Sequence, residues 1–332
     1  MKRRNLLLGA ASTLPLAAQP AWAQSTAAAA AAAWPTKPIR IIHGFGPGGP
    51  VDIFARLVAA QFSDKFGQQA IVEGKPGAGG TIGTNFVAKA EPDGYTLFLM
   101  ASGHAAAPGL YPSLPFDPVN DFTMISMFAR SPFAIVANTQ APFKTMQELM
   151  ALARAEPLGK LNYGSGGQGT GMHLTAVLLQ ARTGVQFTHV PYRGGGALNT
   201  AIIANEVPFM FTSLAGMAPL IEAGRVRALA VTSKQRYPGM PNVPTVAETV
   251  LPDFDVSAWY AVAGPKGMPA SIVNRINEML RSTLARPDIL ETLRIQAADP
   301  WVNSPAEAQA YVAADVARWT KVIRDEKITA PA

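Results

Sequence analysis

The sequence predicts an α/β fold made of two similar halves. Short apolar runs with strand character alternate with segments of helical spacing along most of the chain. Many of these strands run into loops rich in Gly, Ser and Thr that open a helix, and the same order is repeated after residue 137. Strands that alternate with helices favour a sheet of parallel strands, whose loops gather at the carboxyl ends of the strands. With 332 residues, 48% of them hydrophobic, the chain is long enough for two domains with separate cores.

The first strand–loop–helix unit begins at residue 39. The apolar run 39–43 is typical of a buried strand, and it ends in a loop of four glycines and two prolines. Asp52 follows as the expected N-cap of a helix over about 52–66. A helix N-terminus presents unpaired N–H groups and partial positive charge, and glycines let an anion approach the backbone. We therefore interpret residues 44–52 as an anion-binding loop.

Two further loops are expected beside this one. Strand 69–73 leads into the glycine-rich stretch 74–83 ahead of a helix that ends near residue 90. Strand 95–101 leads into a loop at 102–108. Because the carboxyl ends of parallel strands meet at one edge of the sheet, we expect all three loops to converge.

The second half repeats this organisation. The glycine loop 164–171 follows a strand and opens a helix at 172–182. The last helix begins with Ser304-Pro305-Ala306-Glu307, a capping-box pattern with Pro at the first helical position. The other strands are predicted at 123–128, 133–137, 186–190, 207–212, 226–232 and 256–264, and the other helices at 144–156, 197–205, 214–223, 269–286, 288–297 and 304–325.

An export signal is predicted for residues 1–23. Residues 2–4 are basic, residues 6–18 are apolar, and residues 21–23 form an A-x-A cleavage site. The two arginines also resemble the twin-arginine motif, so the Sec and twin-arginine routes both remain open. An Ala-rich stretch, 24–34, is expected to be a disordered tether. We therefore expect a protein that works in the periplasm.

Composition excludes several classes of function. The chain has no cysteine, which excludes disulfides, thiolate metal sites, cysteine nucleophiles and a lipid-modified N-terminal cysteine. Half of the net charge of +6 lies in the predicted signal, and no Lys/Arg cluster follows it, so nucleic acid is not an expected partner. No later apolar run is long enough for a transmembrane helix, so we expect a free and soluble protein.

The first glycine loop nearly matches a dinucleotide-binding fingerprint. Residues 44–49 fit G-x-G-x-x-G, and Glu73 ends the next strand at about the expected distance. However, Pro47 removes an N–H from the would-be phosphate cradle, and Pro50 stands where the helix should open. An exported chain would also be far from the main nicotinamide pool. We therefore expect no cofactor.

Groupings that would indicate catalysis are scarce. Ser165 is not in a G-x-S-x-G motif, because residue 163 is Tyr. The four histidines do not have metal-ligand spacing, so no metal site is predicted; His104 and His173 are the ones expected nearest to a ligand. An exported hydrolase that uses Ser165 and His173 remains as an alternative. Loops rich in Gly, Ser and Thr instead favour binding of a small anion without chemistry.

Specific motifs over almost the whole chain, from residue 34 to about 323, resemble the Bug-type substrate-binding receptors of tripartite tricarboxylate transporters. The motifs that carry the resemblance are FGPGG at 45–49, PGAGG at 76–80, PDGYTL at 92–97, YGS at 163–165, VPYRG at 190–194, LAVTS at 229–233, PTVAE at 244–248 and Trp259. The resemblance implies a periplasmic-binding-protein fold of two α/β domains joined by two crossing strands.

Carried over, the resemblance places residues 35–132 and 256–332 in the first domain and residues 133–255 in the second. It implies a small carboxylate ligand in the cleft, held largely by backbone N–H groups. It also implies membrane transporter subunits as partners, and we expect a monomer. Together with His173, the implied ligand-binding residues are Phe45, Gly48, Gly49, Asp52, Gly79, Gly80, Ser102, Ser165, Thr170, Tyr192 and Thr212.

The sequence departs from the family pattern at several positions. Gly74 stands where the family usually has Asn, Val51 follows an uncommon Pro50 where Thr or Ser is usual, and Ala201 replaces an Asp. Loss of polar groups at 51 and 201 makes a less polar acid plausible as ligand. A receptor that reports to a sensor protein rather than to a transporter would use the same binding chemistry, so that output stays open.

Overall fold

Strands from both halves of the chain join one curled mixed sheet in the computed structural model, which describes residues 33–111, 113–157 and 159–328. The predicted export signal and most of the predicted tether lie outside these residues. Ten strands lie in the described part: β1 (Ile39–His43), β2 (Ala70–Gly74), β3 (Thr96–Ala101), β4 (Phe122–Asn138), β5 (Asn162–Ser165), β6 (Thr188–Pro191), β7 (Phe209–Ser213), β8 (Val226–Val231), β9 (Ser257–Pro265) and β10 (Asp299–Pro300).

Helices follow most of these strands. They are α1 (Pro50–Phe66), α2 (Thr81–Ala88), α3 (Gly103–Leu110), α4 (Met146–Ala155), α5 (Gly171–Thr183), α6 (Gly195–Ile203), α7 (Ala218–Glu222), α8 (Val246–Thr249), α9 (Ala270–Thr283), α10 (Pro287–Ile295) and α11 (Pro305–Asp325), with a single 3₁₀ turn at Ala78–Gly80 before α2.

Strand order shows where the two halves meet. The sheet runs β2-β1-β3-β9-β4-β7-β5-β6, and β8 and β10 also pair with β4. The predicted parallel pairing is found between β1 and its neighbours β2 and β3, and between β5 and its neighbours β6 and β7. Strands β4 and β9 pair antiparallel to their neighbours, so the parallel pairing favoured by the strand–helix alternation is interrupted in the middle of the sheet.

The long strand β4 connects the two halves. Two separate strands were expected here, at 123–128 and 133–137; the structure shows one strand of 17 residues, with Pro132 inside it. Its first part pairs with β9 as far as Pro132, and from Phe133 onward it pairs with β7 and β8. The N–H that proline lacks therefore falls where the ladder changes partner, and the strand tolerates it.

Strand β9 forms the second connection. Just before it, the Val256 N–H donates to the carbonyl of Thr232 at 3.0 Å. The buried Thr232 hydroxyl is 2.6 Å from the Val256 carbonyl and 3.1 Å from the carbonyl of Phe133 in β4. The fold is therefore two α/β lobes with a cleft between them, joined by two crossing strands that Thr232 ties together.

Helix boundaries test the local sequence signals. The capping box predicted before α11 is confirmed, since the Ser304 hydroxyl accepts from the Glu307 N–H and the Glu307 carboxylate accepts from the Ser304 N–H. The loop predicted at 102–108 is instead the helix α3. Its Gly and Pro residues oppose a helix, but packing against α11 and burial of His104 and the following alanines stabilise it.

Trp34 begins the packed part of the chain. It is the last residue of the predicted tether, yet only 2% of it is exposed, and its ring contacts Phe62, Phe66 and Tyr95. The cluster covers one end of the first lobe, remote from the strand ends that face the cleft.

Candidate ligand-binding site

Strand ends from both lobes surround a small cavity of about 40 Å³, which we call the inner cavity. Loop and helix-start residues supply most of its wall, and strands β3, β4 and β9 supply the rest. The lining residues are Phe45, Gly49, Pro50, Val51, Ala101, Ser102, Gly103, Phe133, Gly166, Thr170, Gly171, Met172, Gly194, Gly195, Ala258 and Tyr260.

Four helices direct their N-termini at the inner cavity. Helices α1 and α3 come from the first lobe, and α5 and α6 come from the second. The N–H groups in the first turn of a helix have no intrahelical acceptor, and the aligned peptide dipoles place roughly half a positive charge there. No charged side chain is among the lining residues, so backbone dipoles dominate the electrostatics of this cavity.

Side-chain hydroxyls at the inner cavity differ in whether they already have hydrogen-bond partners within the protein. Thr170 donates to the Gly167 carbonyl at 2.8 Å and accepts from the His173 N–H at 3.3 Å. The Tyr260 hydroxyl is 2.9 Å from the Ser213 hydroxyl, and burial raises its pKa. Ser102 is 8% exposed, and its hydroxyl has no hydrogen bond to any part of the chain that the structure describes. Ser102 is therefore the side chain best placed to donate to a ligand.

The rest of the wall is apolar. The rings of Phe45, Phe133 and Tyr260 line it, together with Val51 and Met172. Sequence reasoning did not select Phe133, Ala258 or Tyr260 as site residues, because apolar residues inside strands indicate a core. Only the position of the two crossing strands at the floor of the cleft brings them to the cavity.

A larger outer cavity of about 520 Å³ adjoins the inner one. The two share Phe45, Gly166, Thr170 and Gly194. The other residues that line the outer cavity are Gly44, Pro76, Gly77, Ala78, Gly79, Gly80, Tyr111, Gly167, Gln168, Pro191, Tyr192 and Arg193. Arg193 is the one charged residue that lines either cavity, so a cation stands at the outer end of the site.

Asp52 braces the first glycine loop rather than lining a cavity. Helix α1 begins at Pro50 with Gly49 as N-cap, so the expectation that Asp52 is the N-cap is wrong. Its carboxylate instead accepts from the Gly48 N–H and from Arg56, both at 3.0 Å, and lies 3.4 Å from His43. Burial alone would raise the pKa of Asp52, but the hydrogen bonds from Arg56 and Gly48 hold it below its usual value. Burial lowers the pKa of His43.

The lobes approach each other backbone to backbone at glycines. A Cβ added to Gly46 would lie 2.4 Å from the Arg193 carbonyl oxygen, and one added to Gly196 would lie 2.4 Å from the Pro47 carbonyl oxygen. A Cβ on Gly79 would lie 3.0 Å from the carbonyl oxygen of Gln168. Side chains at these positions would hold the lobes apart, so the glycines allow the cleft to be this narrow.

Residues 54–328 match the family described as the tripartite tricarboxylate transporter family receptor. The chain belongs to this receptor family. Because the match extends through both lobes, the resemblance inferred from the glycine motifs is confirmed.

Solved structures of similar receptors agree in fold. Rpa4515 of R. palustris with adipate is 33% identical, with a TM-score of 0.84 over 89% of this chain and 98% of that one. The periplasmic binding protein BugD is 31% identical, with a TM-score of 0.86 over 90% and 100% of the two chains. MatC (Rpa3494) from Rhodopseudomonas palustris with bound malate is 31% identical, with a TM-score of 0.82 over 87% and 100%. The receptor therefore has a periplasmic-binding-protein fold.

Two of the residues predicted in the second lobe of the receptor, Ser165 and His173, belong to a separate buried group. Ser165 is 0% exposed, and its hydroxyl is 2.6 Å from the ring of His189, which stacks on His173 at 4.3 Å between centroids. Burial lowers the pKa of His173 to about 4, and burial together with His173 lowers that of His189 to about 3. His173 also accepts from the Gly169 N–H at 3.3 Å. These contacts fix the shape of loop 164–171.

The remaining predicted site residues of the receptor divide by location. Gly79, Gly80 and Tyr192 line the outer cavity, and the Tyr192 hydroxyl donates to Glu206 at 3.1 Å. Thr212 is buried in β7, and its hydroxyl lies 3.4 Å from the Ser213 carbonyl. Of the predicted set, the residues that line the inner cavity are Phe45, Gly49, Ser102 and Thr170.

The described part of the receptor contains neither a cluster of side chains suited to a metal ion nor a membrane-crossing helix. Among residues 33–111, 113–157 and 159–328, no three His, Cys, Asp or Glu side chains gather in a way that could hold a metal ion. In the same residues, no helix is both long enough and apolar enough to cross a membrane.

Proposed function

We propose that this protein is a periplasmic receptor that binds a small carboxylate between its lobes and delivers it to a tripartite tricarboxylate-type membrane transporter. One observation carries the binding part of the proposal. Four helix N-termini, two from each lobe, face a single cavity with no charged residue in its wall. Such a site attracts an anion through N–H groups and dipoles.

A carboxylate is the anion that this arrangement suits. Its two oxygens can accept several hydrogen bonds at once, here from the uncommitted Ser102 hydroxyl and from first-turn N–H groups. The similar receptors in complex with adipate and malate both hold carboxylates, which supports the same ligand class for this chain. The family description supports the transporter as the receiving partner.

Closure of the two lobes around the ligand follows from the crossing strands. We propose that residues 35–132 with 256–332 form one domain and that 133–255 form the other, since β4 changes its pairing partners between Pro132 and Phe133. Two strands give a narrow connection about which the domains can rotate. We propose a monomer, because residues of one chain surround both cavities. We also propose that the N-terminal signal directs its export.

The hydrolase alternative has little structural support. Ser165 is completely buried and lines neither cavity, and its partner is His189 rather than His173. With a pKa of about 3, His189 would be a weak base for activating a serine at neutral pH. A structural role in shaping loop 164–171 accounts fully for the buried group of Ser165, His189 and His173.

A matched panel of acids and amides tests the proposal. Purified protein is assayed by thermal shift and calorimetry against mono-, di- and tricarboxylates, aromatic acids and amino acids, each beside its neutral amide. At least one acid should stabilise the protein, by roughly 2.7 kcal/mol at 100 times its Kd. Its amide should not, because the helix N-termini favour negative charge. A panel without a stabilising acid, or an amide that binds as well as its acid, contradicts the proposal.

Substitution of Ser102 localises the binding. Ser102→Ala should weaken binding of the acid found in the panel about tenfold or more, since a hydrogen bond to a charged group contributes roughly 1.5–3 kcal/mol. Ser282→Ala is the matched control, because the Ser282 hydroxyl bonds within α9, away from the cleft. Uptake of the labelled acid by vesicles that contain the transporter membrane subunits, with and without the receptor, then tests delivery.

A further inference from the structure

We infer that the ligand carries only hydrogen or carbon substituents on the carbon next to its carboxylate, and that Val51 enforces this choice. The inference rests on the proposed function and narrows its ligand class. It separates simple carboxylic acids from 2-hydroxy and 2-amino acids, a distinction that carboxylate binding alone does not make.

Cavity size limits how many polar groups the helix N-termini can serve. A water-sized group needs roughly 10–15 Å³ of cavity volume, so the inner cavity, at about 40 Å³, holds about three groups of this size. A carboxylate alone supplies three heavy atoms. The four N-termini therefore converge on one anionic group, and the next carbon of the ligand already lies against the side-chain wall.

The side chains of that wall offer no uncommitted partner for a second polar group. The hydroxyls of Thr170 and Tyr260 are already bonded to other groups of the protein, and the Ser102 hydroxyl would be taken by the carboxylate. The other side chains around the inner cavity are apolar. A hydroxyl or ammonium group on the neighbouring carbon would lose its water without gaining a side-chain partner, which is unfavourable.

Val51 supplies both a backbone N–H donor and a side chain of the cavity wall. Pro50, the first residue of α1, has no N–H, so the first backbone donor of this helix belongs to Val51 itself. The side chain of Val51 is 6% exposed and lines the same cavity. A ligand oxygen bound at this N–H therefore brings its neighbouring carbon beside the two Val51 methyl groups.

The body of the ligand has a route outward. The outer cavity shares Phe45, Gly166, Thr170 and Gly194 with the inner one and has about 520 Å³ of space. Longer chains, rings or a distant second acid group would extend there, toward Arg193. The inference therefore restricts the first carbon and leaves the length of the acid free.

Matched pairs of acids that differ by one hydroxyl test the inference by calorimetry. The pairs are propanoate with lactate, phenylacetate with mandelate, and adipate with 2-hydroxyadipate, plus one built in the same way on whichever acid of the panel stabilises the protein. In every pair that binds, the acid without the hydroxyl should bind at least tenfold more tightly. Equal or tighter binding of the hydroxy acids by the wild-type protein overturns the inference but leaves carboxylate binding intact.

The Val51→Thr variant tests the role of this residue, because Thr has the same shape and adds one hydroxyl. The preference for the acid without the hydroxyl should fall at least fivefold. Val316→Thr on α11, away from both cavities, should leave the preference unchanged. An unchanged preference in Val51→Thr overturns the role of Val51. Failure of every acid to bind would instead overturn the proposed function itself.

Discussion

Among single residues, His104 shows how burial near the cleft links stability to pH. One ring nitrogen is 2.7 Å from the Pro118 carbonyl, and the other is buried without a partner in the part of the chain described. The rings of Phe116 and Phe122 pack on it. Burial lowers the pKa of His104 to about 4, against 6.5 for a free side chain. The ring is therefore neutral in the folded protein at any pH near neutrality.

The sign of the resulting pH dependence is fixed by this shift. As pH falls below 6.5 the unfolded chain takes up a proton at His104 and the folded protein does not, so stability is present above 6.5 and is lost toward pH 4. At pH 5 the loss amounts to about 2 kcal/mol. Urea denaturation of wild type and His104→Gln between pH 7.5 and 5 should show a shallower decline in the variant. Parallel declines would contradict the assignment.

Some of the residues predicted to bind a ligand line the inner cavity. Gly49 was selected because a glycine loop at a helix start favours anion binding, and Ser102 and Thr170 were selected because the family resemblance implies them; all three line the inner cavity. Asp52 illustrates the limit. Its position near a helix start indicated a cap or ligand role, but only the structure shows its carboxylate turned toward Gly48, His43 and Arg56.

At the scale of elements, Thr232 is the link between the two crossing strands. Its hydroxyl lies within hydrogen-bond distance of carbonyls in both connections, and the residue is completely buried. Thr232→Val keeps the shape and removes the donor, which leaves the Val256 carbonyl without this partner. The free energy of unfolding should fall by about 1–3 kcal/mol.

Urea denaturation measures this effect, and the exposed Thr200→Val on α6 is the matched control. The Thr200 hydroxyl also bonds a backbone carbonyl, but it does so at the surface and within its own helix. Its replacement should change stability by less than about 0.5 kcal/mol. Equal effects of the two substitutions would show that the bond between the crossing strands adds nothing.

Elements were predictable from sequence to the extent that their signals are local. The capping box before α11 and the strand–loop–helix order of both halves depend on neighbouring residues, and the structure contains them. Helix α3 and the continuous strand β4 were missed. Both contain prolines that locally oppose the element, and both are stabilised by partners distant in sequence, α11 for the helix and β9, β7 and β8 for the strand.

For the whole molecule, the glycine contacts between the lobes provide a test of closure that leaves the inner cavity untouched. Neither Gly46 nor Gly196 lines the inner or the outer cavity. A methyl group at either position would lie 2.4 Å from a carbonyl oxygen of the opposite lobe, a distance that forces the backbones apart. Gly46→Ala and Gly196→Ala should therefore fold normally but close incompletely.

Their binding should weaken because the helix N-termini of the two lobes no longer reach the carboxylate together. Kd from calorimetry is expected to rise at least tenfold in both variants, and the compaction on ligand addition seen by small-angle X-ray scattering should shrink. Ala197→Ser, which adds one atom at the exposed neighbouring position, should bind as wild type does. If both glycine variants keep full affinity, the ligand is held by one lobe alone, and the two-lobe clamp is wrong even though the fold and the family remain.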